Sequence, residues 1–116
     1  MIRSPLPATR KSTNTKISVG SLDFYVTTSM YADGSPAEVF VKTSKEGGII
    51  AGTCESISHM ASVALQHGTP WRVLRAAMTL HDFEPHDMNG RSIFTAIADV
   101  VDQHIELWSK EHGTTK

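Results

Sequence analysis

The sequence predicts an α+β domain, with an N-terminal antiparallel β-meander followed by two or three helices. Three observations carry that expectation. Residues 24–31 (FYVTTSMY) form a β-branched and aromatic run that alternates between two faces. Asp33-Gly34 follows at once, a dipeptide that supplies the positive φ of a tight hairpin. From residue 49 onward, apolar residues recur instead at spacings of three, four and seven, the period of a helix.

In chain order, residues 1–15 (MIRSPLPATRKSTNT) read as a flexible basic arm, with two prolines, many hydroxyls and the cations Arg3, Arg10 and Lys11. The domain proper is expected over 16–111, with 112–116 a frayed tail. A short first strand is placed at 16–19, turning at Gly20-Ser21. The second strand sets Phe24, Val26, Thr28 and Met30 on one face. The third, 37–42, sets Val39 and Val41 on one face and Glu38, Phe40 and Lys42 on the other. Residues 42–48 (KTSKEGG) lead into a helix over 49–67. Its apolar stripe is Ile50, Ile57, Met60, Ala61, Ala64 and Leu65, and its small residues, Ser58 and Ser62 among them, permit close approach of another element. Gly68 suits the helix stop. Thr69 then serves as N-cap and Pro70 as first residue of a short helix over 70–78, burying Val73, Leu74, Ala77 and Met78. A polar connector, 79–90, precedes a last helix over 91–110, for which Asn89 is the candidate cap. That helix carries two apolar rows, Ile93/Ile97/Val100/His104/Leu107 and Phe94/Val101/Ile105/Trp108. So wide a face fits packing against another subunit, or a helix wedged between the sheet and the first helix.

Composition excludes several classes of function. With 116 residues there is room for one core only. A formal net charge of -1 provides no global field to hold nucleic acid non-specifically. The single cysteine, Cys54, rules out an intrachain disulfide framework and a cysteine-based zinc ribbon. No apolar run approaches the roughly 20 residues that span a bilayer, and no signal-peptide apolar segment opens the chain. A soluble protein of the cytoplasm, or of the host cytoplasm if viral, is expected.

Two stretches concentrate ligand-type chemistry. In 42–48, Lys42, Lys45, two hydroxyls, Gly47 and Gly48 stand just before a helix N-terminus, where unpaired N–H groups and the helix dipole favour an anion. The order is not that of a P-loop, and an ordinary polar connection is the bland reading. In 81–87, His81, Asp82, Phe83, Glu84, His86 and Asp87 gather acid–base groups around an aromatic ring. A solvated connector accounts for them, as does polar contact to a nucleotide with Phe83 stacked on a base. His59 and His67, eight apart, stand about 80° from each other on an ideal helix and make no close pair. His104 falls on an apolar row and reads as a satisfied core or interface histidine. No serine shows a nucleophile elbow or a base partner. No metal ligands, cofactor or catalytic residues are assigned.

Several segments, taken in order, resemble the TSCPD domain, found at the C-terminal end of adenosylcobalamin-dependent ribonucleotide reductases and in stand-alone phage and bacterial proteins. They are Leu6-Pro7-x-Thr9-Arg10-Lys11-Ser12, Asp33-Gly34-Ser35-Pro36-x-Glu38-Val39-Phe40-Val41-Lys42, Lys45-Glu46-Gly47, Ser62-x-Ala64-Leu65-Gln66-His67-Gly68-Thr69-Pro70 and Phe83-Glu84-Pro85. The Thr-Ser-Cys-Pro-Asp signature that names the family is absent here, as is the cysteine-rich tail of the reductases. The resemblance implies a sheet-plus-helices scaffold, paired through the helices or the sheet as a dimer or a multiple of dimers. It does not transfer the reductase reaction, which needs a thiyl radical and a reducing cysteine pair on a large barrel.

Three functions are therefore weighed. The first is a non-catalytic, homo-oligomeric protein binding a nucleotide or nucleotide-like anion through Arg10, Lys11, Lys42, Lys45, Gly47, Gly48, Arg75, His81, Phe83 and His86, at a site between subunits. In a phage setting such a protein can act as an anti-defence sponge that sequesters a host nucleotide immune signal. The second is an accessory interaction module that docks on a reductase or replication protein. The third is a metal-dependent enzyme built on His81 and His86. Neither a membrane nor sequence-specific nucleic acid is an expected partner.

Overall fold

The structure is a computed structural model, and it describes residues 6–43 and 48–113. Three strands, β1 (Ser12–Val19), β2 (Leu22–Met30) and β3 (Pro36–Thr43), precede three helices, α1 (Gly48–Gln66), α2 (Trp71–Met78) and α3 (Ile93–Glu111). The sheet is an antiparallel meander of order β1-β2-β3. The α+β expectation is met, meander first and helices after. No helix of the described residues is long and apolar enough to cross a membrane.

The β2–β3 hairpin closes where Asp33-Gly34 placed it. Asp33 Oδ1 accepts from the N–H and the hydroxyl of Ser35. Gly34, at φ +90°, lies under the Trp108 indole, whose Cζ3 would be 2.6 Å from a Cβ at this position. Any other residue would meet both a forbidden backbone region and the ring.

β1 begins four residues earlier than its composition suggested. Ser12 to Thr15 pair with Ser29 to Val26 in unbroken register. The hydroxyl-rich start lacks apolar alternation because half of it faces solvent, whereas Thr15 faces inward to bond a buried histidine. At the other end of the chain, α3 starts at Ile93 with Ser92, not Asn89, as its N-cap residue. Pro70 is the N-cap residue of α2 in place of Thr69.

The larger correction concerns how α1 is rotated. Of the expected stripe Ala61 and Leu65 are buried, but Ile50 and Met60 are not; Cys54, Ser58, Ser62 and Gln66 complete the buried face. Met60 is 68% exposed and Ile49 84%. The reason is what α1 packs against, which is β3 and its outer edge. Ser62 Oγ accepts from the Val39 N–H at 2.9 Å and donates to the Val39 carbonyl at 3.0 Å. Gln66 Nε2 donates to the Ala37 carbonyl at 3.1 Å. Small polar side chains thus bond the backbone groups that a fourth strand would otherwise take. A bulky apolar face could neither approach as closely nor make these bonds.

The core lies between the sheet's inner face and α3. Val19, Phe24, Val26, Val39 and Val41 meet Ile93, Ala96, Ile97, Val100 and Val101, closed at the side by Cys54 and Leu65. The wide apolar face of α3 is largely used within the chain, since Trp71, Leu74 and Met78 of α2 also pack on this cluster. Burial pushes the Cys54 thiol up to about 11, so it stays protonated and inert near neutral pH. His104 is buried on the same helix, with Nε2 2.7 Å from Thr15 Oγ1 and Nδ1 2.8 Å from Thr28 Oγ1. Both ring nitrogens are satisfied by hydroxyls that can donate or accept, and desolvation lowers the pKa of the ring.

Two outcomes follow for stability. Ser62→Ala should cost about 2–3 kcal/mol in urea unfolding, because it strands a buried donor and a buried acceptor. Ser58→Ala removes only a bond to the Cys54 carbonyl of its own helix and should cost under about 1 kcal/mol. Because the His104 pKa is lowered on folding, the unfolded chain takes up this proton first as the pH falls. Stability should therefore decline below about pH 6.5, by up to about 1.4 kcal/mol per pH unit for this group. His104→Gln should flatten the dependence between pH 7.5 and 5.5, read from urea midpoints.

Candidate functional site

With α3 and α2 on one side of the sheet, the opposite side faces solvent, and strand alternation decides what it displays. Register aligns the outward residues into two rows across the strands. One is Lys16–Tyr25–Lys42 and the next is Asn14–Thr27–Phe40. Tyr25 and Phe40 are diagonal neighbours, 39% and 49% exposed. Asn14 Oδ1 accepts from Thr27 Oγ1 at 2.7 Å, which fixes the amide between the strands. Where α1 runs past the β3 edge, Glu55, Ser58 and His59 raise a wall beside these rows. Floor and wall enclose an open groove of about 700 Å³, within the range of small-ligand sites.

The groove can do specific chemistry. Two exposed rings offer stacking surface for a planar heterocycle. Lys42 lies along the floor and leads into the 44–47 connection. Lys16 flanks Tyr25 on the other side, held loosely by Asp23 at 3.7 Å. The Ser18 hydroxyl, and then Lys16, hold the Asp23 carboxyl below its usual range.

The residues singled out from sequence do not converge on one place. Lys42 is in the groove, and Gly48 opens α1 next to it in the chain. Lys45 and Gly47 lie outside the described residues. Arg10 stands at the end of the outer face, where Nη2 and Nε reach Glu38 Oε1 at 2.9 and 3.2 Å and Nη1 donates to the Pro7 carbonyl. Ser29 Oγ donates to the same Glu38 oxygen. Lys11 is exposed beside Tyr31, Glu111 and His112.

Arg75 is on the other side of the sheet, in an ion-pair network that ties α2 and the connector to α3. Its Nη2 donates to Asp99 Oδ1 at 2.7 Å. Its Nη1 is 3.0 Å from Asp102 Oδ2, an ion pair too poorly aligned to count as a hydrogen bond. Arg91 bridges Asp87 at 2.7 Å and Asp99 at 2.9 Å, and the Trp71 indole N–H donates to Asp102. Burial pushes the Asp99 carboxyl up, but the hydrogen bonds and charges of Arg91 and Arg75 outweigh it and hold the pKa low.

His81, Phe83 and His86 are in the connector, also away from the groove. His86 Nε2 is 3.0 Å from Asp82 Oδ1, which also accepts from the buried Ser92 hydroxyl at 2.8 Å. The Ser92 bond, then that of His86, lowers the Asp82 pKa. Ser92 Oγ accepts in turn from the Phe83 N–H, and the Phe83 ring tilts against Phe94 at 6.0 Å. These contacts pin the connector to the start of α3. Among the described residues no group of three His, Cys, Asp or Glu side chains is placed to hold a metal ion.

Asn14, Lys16, Tyr25, Thr27, Phe40 and His59 were not among the ligand contacts expected from sequence. The signal was partly present, since alternation in β3 already set Phe40 and Lys42 opposite Val39 and Val41. The register with β1 and β2, which assembles the two rows, is not local to any strand.

Residues 3–105 match the family model described as the TSCPD domain. The chain belongs to the TSCPD domain family. Its relatives include the vitamin B12-dependent ribonucleotide reductase of Rhodopirellula baltica, 33% identical over 106 residues, which are 91% of this chain and 10% of the reductase. The reductase of the same name from Streptomyces clavuligerus is 37% identical over 87 residues, 75% of this chain and 9% of that protein. A third, from Streptantibioticus cattleyicolor, is 37% identical over 84 residues, 72% of this chain and 14% of that protein. This TSCPD chain thus spans about a tenth of the length of the relatives it matches. No solved structure matches it.

Asp99 is the junction of the TSCPD domain's helical network. Asp99→Asn should lower stability by about 1.5–3 kcal/mol, the range for hydrogen bonds to charged groups, measured by urea unfolding at pH 7.

Proposed function

We propose that this TSCPD chain is a non-catalytic, homo-oligomeric binding protein for a nucleotide or nucleotide-like anion. The observation that carries the reading is the pair of rows on the outer sheet face. Tyr25 and Phe40 offer stacking surface to a base, while Asn14 and Thr27 present polar groups beside them. Lys42 stands where a phosphate would lie, and Lys45, Gly47 and Gly48 continue the chain toward the α1 N-terminus, which favours an anion. Arg10 stands at the end of the same face, engaged by Glu38; Lys11, beside the end of α3, and Arg75, His81, Phe83 and His86 lie away from this groove and would join a site only from a neighbouring subunit. Binding without turnover suits a protein that sequesters its ligand, such as a phage sponge for a host nucleotide signal. The match to about a tenth of large reductases supports a second reading, an accessory interaction module in deoxyribonucleotide synthesis.

The test is a thermal-shift panel of nucleotides, deoxynucleotides, NAD, adenosylcobalamin and cyclic nucleotides. A ligand at 100 times its Kd adds about 2.7 kcal/mol, several degrees for a domain of this size. For the ligand found, Lys42→Ala with Lys45→Ala should weaken binding tenfold or more, about 1.4 kcal/mol or above. Phe40→Ala should weaken it by a stacking contribution of about 1–3 kcal/mol with little loss of thermal stability. Unchanged affinity in both variants would exclude the groove, and a flat panel with a reductase partner recovered by pull-down would support the second reading.

A further inference from the structure

The two edges of the sheet are treated differently. On β3 the outer edge is covered by α1, with Ser62 bonding both backbone groups of Val39 and Gln66 the Ala37 carbonyl. On β1 it is open, and the bonding pattern identifies which groups are free. Val39 gives both its N–H and its carbonyl to Ser62, so they point away from β2. Backbone polar groups alternate sides along a strand, so Glu38, Phe40 and Lys42 bond β2 through their partners Ser29, Thr27 and Tyr25. Phe24, Val26 and Thr28 then turn toward β1 and engage Ile17, Thr15 and Thr13. The N–H and carbonyl groups of Ser12, Asn14, Lys16 and Ser18 are left pointing outward. No hydrogen bond among the described residues takes them up.

We propose that this edge pairs antiparallel with β1 of a second copy of the chain, about a two-fold axis at Thr15, to make one six-stranded sheet. The edge is lightly guarded against such pairing: β1 has no proline and no bulge in its register with β2, and Lys16 is its one charged residue. An axis at Thr15 sets Asn14 opposite the partner's Lys16 and Ser12 opposite the partner's Ser18. An axis at Lys16 would oppose two lysines and is disfavoured. His104 bonds Thr15, so α3 runs beneath β1.

The pairing rests on backbone geometry, and only its effect on the groove rests on the ligand proposed above. Each row would continue across the axis, as Phe40–Thr27–Asn14 and then the partner's Lys16, the partner's Tyr25 and the partner's Lys42. The partner's Lys16 would stand beside Asn14 of the groove. Two grooves would merge into one face with lysines at its centre, suited to an anion larger than a mononucleotide.

The test begins without ligand. Light scattering behind size exclusion should give twice the 12.7 kDa of the chain, and amide exchange should show Asn14, Lys16 and Ser18 protected in the dimer. Lys16→Pro removes an outward N–H and no bond to β2, so it should give a monomer that still melts cooperatively. A monomeric wild-type chain, fast-exchanging edge amides in a dimer, or a dimeric Lys16→Pro variant would each overturn the pairing. Should Lys16→Pro fail to fold, amide exchange in the wild-type dimer decides. A Lys42→Ala, Lys45→Ala chain that loses ligand yet stays dimeric supports the pairing and sets it apart from the ligand. A wild-type monomer that still binds ligand overturns the pairing and leaves the groove standing.

Discussion

The fold turns on a requirement of backbone chemistry: the outward N–H and carbonyl groups of β3 cannot be buried without partners. Ser62 and Gln66 supply partners for Val39 and the Ala37 carbonyl from a helix, and their position determines how α1 is rotated. Once α1 is fixed that way, its small residues face the sheet, Ile49 and Met60 turn outward, and Glu55 and His59 rise beside the solvent face. Among the described residues no second layer covers that side, so Tyr25, Phe40, Lys16 and Lys42 stay accessible. The groove is thus a by-product of how one strand edge is satisfied.

Several residues that look like ligand contacts by type are already committed within the chain. Arg10 holds Glu38, and through it the arm is fastened to β2 and β3. Arg75 and Arg91 share Asp99 and so tie α2 and the connector to α3. The guanidinium fork suits carboxylates and phosphates equally well, so residue type cannot tell a structural arginine from a binding one. Segments that carry the family resemblance, Thr9-Arg10, Glu38-Val39 and Ser62 to Gln66, meet one another in these contacts. That is consistent with a scaffold that recurs inside much larger reductases, where it makes up about a tenth of the chain.

The sequence was most legible where a local pattern decides the structure. Alternation in β2 and β3, the Asp33-Gly34 turn and the helical period of α3 are all short-range signals, and each element stands close to where they put it. It was least legible where a side chain answers to a distant backbone. The Ile50–Met60 stripe misjudged α1 because hydrophobicity cannot register that Ser62 is needed at a strand edge. β1 was cut short because Ser12, Thr13 and Asn14 look like coil until the register with β2 is known. Lys42 was legible as a candidate ligand contact, but the Lys16–Tyr25–Lys42 row joins residues from three strands and exists only in the assembled sheet.

The closed edge of β3 also sets a valence. A sheet with two open edges can add neighbours at both and grow without limit into a filament. Here α1 blocks one side, so whatever strand docks on β1 ends the addition. The helix held there, through Ser62 and Gln66 bonded to Val39 and Ala37, thereby makes the sheet a terminator rather than a repeating unit, and protects the chain from open-ended polymerisation through its edges.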